Sequence, residues 1–389
     1  MRKIIFIILI SMSFGSIAHA YSTLAEGELI DEYIELVDIA DWDNLLRELK
    51  IRSEITDTGN IDAKSLIKDI MLGKKKMNSK ELLDNFKSIL FKEIRYNYSL
   101  ILQLIVIGSL YGIIANLTSS FGSSSIGDIA YFTCYIVIIV IILQNLLQII
   151  DIGKRAIDNM VRFMHIISPS LIAFILMSGG ITTASVLKPS FAFTLGLVGT
   201  LLKNTIIPLI YLSTVFTIIS NLNQDLGLSR LNQLLKTICT WILGITFTVF
   251  VGVLVVQGVM ATTFDGISVR TTKYAIESFV PVVGGLFSKT VDTVIGYSVI
   301  VKNAVGIAGL IIIIMICLMP CIKIFALMII YKISSALIEL ISDKKIADCL
   351  YDISGIMSTL LVTVLGVAIV FFLTIAIMIA AGNAILYMR

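Results

Sequence analysis

Ala261-Thr-Thr-Phe-Asp-Gly-Ile-Ser-Val-Arg-Thr-Thr-Lys-Tyr-Ala-Ile-Glu-Ser-Phe-Val-Pro-Val-Val-Gly-Gly285, with its continuation to Gly309, is the longest interruption between two strongly apolar runs. It is neither a polar loop nor a spanning helix. Arg270, Lys273 and Glu277 stand three and four residues apart and so share one helical face. Pro281 cannot donate a backbone hydrogen bond and Gly284-Gly285 follow within a turn, so a helix is expected to break here. A second short helix fits Thr290 to Asn303, with Lys289 and Asp292 at i,i+3 and Gly296 leaving a gap in its wall. Two short amphipathic helices around such a break lie at a membrane surface or line a cavity. Broken backbone is tolerated at membrane depth only where protein or water satisfies it.

Composition fixes the surroundings of that stretch. Of 389 residues 57% are hydrophobic and 15% charged, and the mean hydropathy of +0.96 is too high for a water-soluble globule. The expected fold is all-α and polytopic. A formal net charge of +3 gives no nucleic-acid footprint, and the one basic run, Lys74-Lys75-Lys76, reads as a solvated or headgroup-facing patch. Cys134, Cys239, Cys317, Cys321 and Cys349 lie in or beside apolar runs, so no disulfide framework is encoded. Cys317 and Cys321 are i,i+4, but His19 and His165 are the only imidazoles, too few for a structural zinc site.

Met1-Arg-Lys3, the apolar Ile4 to Ile10 and Ala18-His19-Ala20 have the layout of a signal peptide over 1–20, cleaved or kept as an anchor. The region 21–98 is then extracytoplasmic. Leu29, Ile30, Tyr33, Ile34, Leu36 and Val37 alternate with acidic residues as an amphipathic helix, and Asn78 with Glu81 forms a capping box before Leu82, Leu83, Phe86, Ile89 and Leu90.

The polytopic part, 99–389, carries the broken-helix insert at 261–306. A hydrocarbon core of about 30 Å asks for roughly 20 apolar residues per span. Leu100–Leu117, Ile129–Ile150, Ile238–Met260, Ile307–Ile330 and Ile356–Leu386 satisfy this. Leu171–Leu187, with Gly179-Gly180, and Phe191–Leu222, with Lys203, Asn204 and Pro208, are irregular. The second is one kinked helix or two half-helices. The expected total is roughly seven spans, and the charged loop after Ile150 leaves their orientation open under the positive-inside rule.

Two constellations stand out. Gln144, Gln148, Asp151, Arg155, Asp158, Arg162 and His165 follow steps of four and three, one stripe on a helix leaving the membrane. Its bland reading is a wet outer face; its functional reading puts Gln144 and Gln148 against a bundle interior or hydrated passage. Lys203 with Asn204, inside an apolar run, either snorkels or sits at a break where transporters and channels place binding groups. No G-x-x-x-x-G-K-[ST], H-E-x-x-H or G-x-S-x-G is present, and no cofactor motif was found, so the expectation is a protein that is not an enzyme.

Ser268-Val-Arg-Thr-Thr-Lys-Tyr-Ala275, Phe279-Val-Pro-Val-Val-Gly-Gly285 and Val301-Lys-Asn-Ala-Val-Gly-Ile-Ala-Gly309 closely resemble the stage III sporulation protein AE family of endospore-forming bacteria. The resemblance extends over the whole chain and is weakest before Tyr98. It implies a multi-pass subunit of the mother-cell membrane around the forespore, in a secretion-like channel complex needed for late forespore gene expression. It also implies partners: the other stage III sporulation A-complex proteins with their ATPase, and indirectly stage II sporulation protein Q across the intermembrane space. Homo- or hetero-oligomers are expected. On the residues alone, a stand-alone ion-coupled transporter and a non-conducting scaffold are the alternatives. A transporter would show an inverted repeat, and none is evident.

Overall fold

In hydrocarbon every backbone N–H and C=O must find an internal partner, which a chain this apolar achieves by helix. The computed structural model describes residues 79–120, 124–222, 228–279, 284–341 and 344–387, with Trp42, Asn44, Ile67 and Ile70, and no strand occurs among them. The elements are α1 (Ser79–Tyr96), α2 (Tyr98–Ser120), α3 (Ser124–Met177), α4 (Ile181–Leu201), a π-helical turn (Leu202–Ile206), α5 (Ile207–Leu222), α6 (Leu228–Phe279), α7 (Gly284–Ile341) and α8 (Lys344–Tyr387). The signal-like start and the acidic helix around Leu29–Val37 fall outside the described residues. The helix expected from Leu82 to Leu90 forms within α1.

Five helical stretches are long and apolar enough to cross a membrane, and a sixth if the pair α1/α2, bent by 45°, counts as one span. The protein is therefore all-α and multi-pass. The count falls near the expected seven because two irregular segments resolve differently. Leu171–Leu187 is not one helix: α3 ends at Met177, and a turn follows at Ser178-Gly180, with Gly179 at φ 87°, a left-handed conformation open to glycine. Phe191–Leu222 joins the continuous stretch Ile181–Asn221. The short helices read around Pro281 are instead the ends of α6 and α7, each more than twice a bilayer's length.

Close approaches set the register of the bundle. A side chain at Gly306 would collide with Ile379, at Gly309 with Ile167, and at Gly366 with Phe247; Gly153 faces Leu360. Glycine at such points lets membrane helices touch backbone to side chain. The most extensive packing is α7 on α8. Three helices agree on where hydrocarbon belongs: no charged residue lies between Lys236 and Asp265 in α6, between Lys302 and Lys323 in α7, or after Asp352 in α8. A second apolar belt lies displaced along the axis. It comprises α2, the first part of α3 and α5, at the level where Gly108 meets Ile338 and the Tyr135 hydroxyl donates to the Ile218 carbonyl.

Candidate functional site

The π-helical turn is the local key, and Pro208 explains it. Proline offers no N–H to the carbonyl of Asn204 and its ring crowds that carbonyl. One extra residue in the turn relieves the clash, so the Ile207 N–H reaches back to the Leu202 carbonyl. The widened turn exposes Lys203 and Asn204. Lys203 Nζ then donates to both oxygens of Asp158 on α3, at 3.1 and 3.3 Å.

This contact joins the two constellations read separately in the sequence. Gln144, Gln148, Asp151, Arg155, Arg162 and His165 are all exposed on α3, and Asp158 is half-buried beneath Lys203. The stripe faces outward, away from the bundle interior, with Arg155 Nη2 2.7 Å from Asp151. Exposed pairs of this kind contribute only about 0.2–1 kcal/mol each. Their placement matters more than their strength. Gly153 packs on Leu360 and Ile167 on Gly309, so the charged segment of α3 runs beside the charge-free stretches of α8 and α7. Side chains that demand water thus sit level with side chains that demand lipid.

Two polar residues overlooked in the sequence hold the surrounding backbone. Asp265, buried to 1% exposure, accepts the N–H groups of Thr182 and Thr183 at 2.7 Å each. A carboxylate from α6 thereby caps the first turn of α4, where the helix dipole favours negative charge. Lys302, fully buried, donates to the Ile379 carbonyl at 2.9 Å and to Asn383 Oδ1 at 3.2 Å. Its neighbour Asn303, a candidate from the sequence, keeps a buried Oδ1 without a hydrogen bond. Asp265 had one visible signal, a lone carboxylate closing a long charge-free run. Lys302 had a similar one at the head of another run.

The remaining candidates fall where the described residues give no side-chain placement. Arg270 and Lys273 lie on α6 and Asp292 on α7, but their side chains fall outside the described residues, as does Pro281 altogether. Gly284 and Gly285 open α7. No group of three or more histidine, cysteine, aspartate or glutamate side chains fit to hold a metal occurs among the described residues.

Comparison with known proteins gives two matches. The family described as stage III sporulation protein AE matches residues 61–382. Stage III sporulation protein AE of Bacillus subtilis (strain 168) is 32% identical over 326 residues, covering 84% of this chain and 82% of the relative. No solved structure matches.

Proposed function

The chain belongs to the stage III sporulation protein AE family, and from that premise we propose that it is a non-enzymatic membrane subunit of a secretion-like channel complex between mother cell and forespore. It sits in the mother-cell membrane that surrounds the forespore. There it acts with the other stage III sporulation A-complex proteins and their ATPase, and indirectly with stage II sporulation protein Q across the intermembrane space. Late forespore gene expression depends on that assembly.

The observation that carries this reading is the exposed stripe of α3, joined to the π-helical turn through Lys203 and Asp158 and level with lipid-compatible stretches of α7 and α8. A charged face at such a level needs water or a polar partner. A stand-alone transporter is less well supported. Transporters leave the N-terminus of a broken helix open toward an anionic substrate, whereas here Asp265 already occupies that end of α4.

Replacing Gln144 and Gln148 together by leucine tests the proposal. The protein is expected to insert normally while spore yield and co-purification of the other complex members fall at least tenfold. Normal spore yield with an intact complex would return the stripe to a merely solvated face.

A further inference from the structure

A groove of about 760 Å³ runs between α4 and α6. Ser190, Phe193 and Leu197 form one wall and Ile245, Val249 and Val253 the other. Its α4 hydroxyls are spent internally: Ser185 donates to the Ile181 carbonyl, Ser190 to Val186 and Thr194 to Ser190, all at 2.8 Å. What remains is an apolar trough with wide outward exposure, Phe193 at 66% and Val249 at 59%.

We propose that this groove is a phospholipid site, with one acyl chain lying along α4 and α6 and the phosphate at the Ser185 end. The groove lies within the charge-free stretch of α6, so hydrocarbon is the medium that meets it. Its ends differ. Ser185 lies one turn from Thr182, which is capped by Asp265, the first charged residue beyond that stretch. Pro189 has no N–H, which leaves the Ser185 carbonyl without its i+4 donor and open to a headgroup donor such as a glycerol hydroxyl or an ethanolamine ammonium. Lys188, exposed three residues along α4 from Ser185 and beside the groove's lining, supplies a cation whose long side chain can extend toward headgroups. The other end, at Leu201, Ile245 and Thr246, carries no charged lining residue.

Size and wall chemistry favour a chain over a partner helix. The groove's volume of about 760 Å³ lies within the roughly 300–1,000 Å³ of small-ligand sites. Packed membrane helices meet over small residues; Ser185 and Ser190 apart, these walls are mainly aromatic and branched.

The test uses the full chain in nanodiscs of phosphatidylglycerol and phosphatidylethanolamine. After a detergent wash that strips loosely held lipid, irradiating a photoactivatable benzophenone amino acid at Leu197 should still yield an adduct of phospholipid mass. The same group at Val256, exposed outside the groove, should yield none when irradiated after that wash. Lys188→Gln should reduce phosphatidylglycerol retained after delipidation several-fold, and Ser190→Trp should abolish retention. A protein adduct at Leu197, or no more phospholipid adduct there than at Val256 when irradiation follows the wash, overturns the site. If Ser190→Trp fails to fold, the crosslink alone decides. Unchanged retention in Lys188→Gln overturns the placement of the phosphate. None of these results depends on the channel reading, which stands or falls on complex assembly.

Discussion

Lys203 and Asp158 form a contact between helices whose value is positional. An exposed ion pair contributes about 0.2–1 kcal/mol, so Lys203→Met should leave thermal stability in detergent nearly unchanged. Spore yield should nevertheless fall, because a methionine removes the cation that ties the π-helical turn to Asp158 on α3. The exchange Asp158→Lys with Lys203→Asp should restore yield if the pair itself matters; persistent loss in the exchanged protein would show that each charge serves something else. Asp265 is the opposite case. Its two short hydrogen bonds to Thr182 and Thr183 are buried, and removing the carboxylate strands two N–H groups. Asp265→Ala should cost about 2 kcal/mol or more, seen as a drop in the temperature of aggregation. Asp265→Asn should fall between the two, since an amide keeps one acceptor and sets a donor against the N–H groups. An unshifted midpoint for Asp265→Ala would mean that water or another group replaces the cap.

The π-helical turn lets one element serve both a span and a site. Pro208→Ala restores the missing N–H, and a regular helix becomes available from Ile181 through Asn221. Removing the extra residue of the turn rotates Lys203 relative to α5 by about 100°. The measurement is a disulfide between cysteines placed at positions 158 and 203: efficient in the Pro208 background, it should fall several-fold with Pro208→Ala. Equal yields in both backgrounds would show that the turn does not depend on the proline. Much of this was legible in the sequence, because a proline, a lysine and an asparagine within an apolar run conflict locally. What local pattern does not give is how the chain resolves the conflict. Widening by one residue keeps the helix continuous, whereas Gly179, with no side chain to clash at φ 87°, ends one. Nor does periodicity reveal Asp265 with Thr182, 83 residues apart, or Lys302 with Ile379, 77 apart. Those pairings are fixed by how the helices pack.

At the scale of the molecule the two apolar belts compete for one bilayer. With a hydrocarbon core of about 30 Å, lipid at α6, α7 and α8 brings the stripe of α3 to membrane depth. Lipid at α2, the first part of α3 and α5 instead brings in Lys332, Glu339, Lys344, Lys345 and Asp352, which occupy the corresponding ends of α7 and α8. The first placement leaves the charges on the hairpin of α3 and α4, where Arg155 with Asp151 and Lys203 with Asp158 already pair. It also sets Trp241, 67% exposed and just beyond Lys236, near the boundary, where tryptophan is favoured. Single cysteines in a background lacking the native five, probed with a membrane-impermeant thiol reagent in sealed vesicles opened from either side, separate the two. Val249→Cys, on the outer face of α6, should be protected. His165→Cys, within a turn of the Ile167 contact with Gly309, should react, since at that depth only a hydrated face exposes a thiol to the reagent. Protection at Val140→Cys combined with free reaction at Val249→Cys would move the bilayer to the other belt. The stripe would then lie simply beyond the membrane, and the passage would have to be sought among the other subunits.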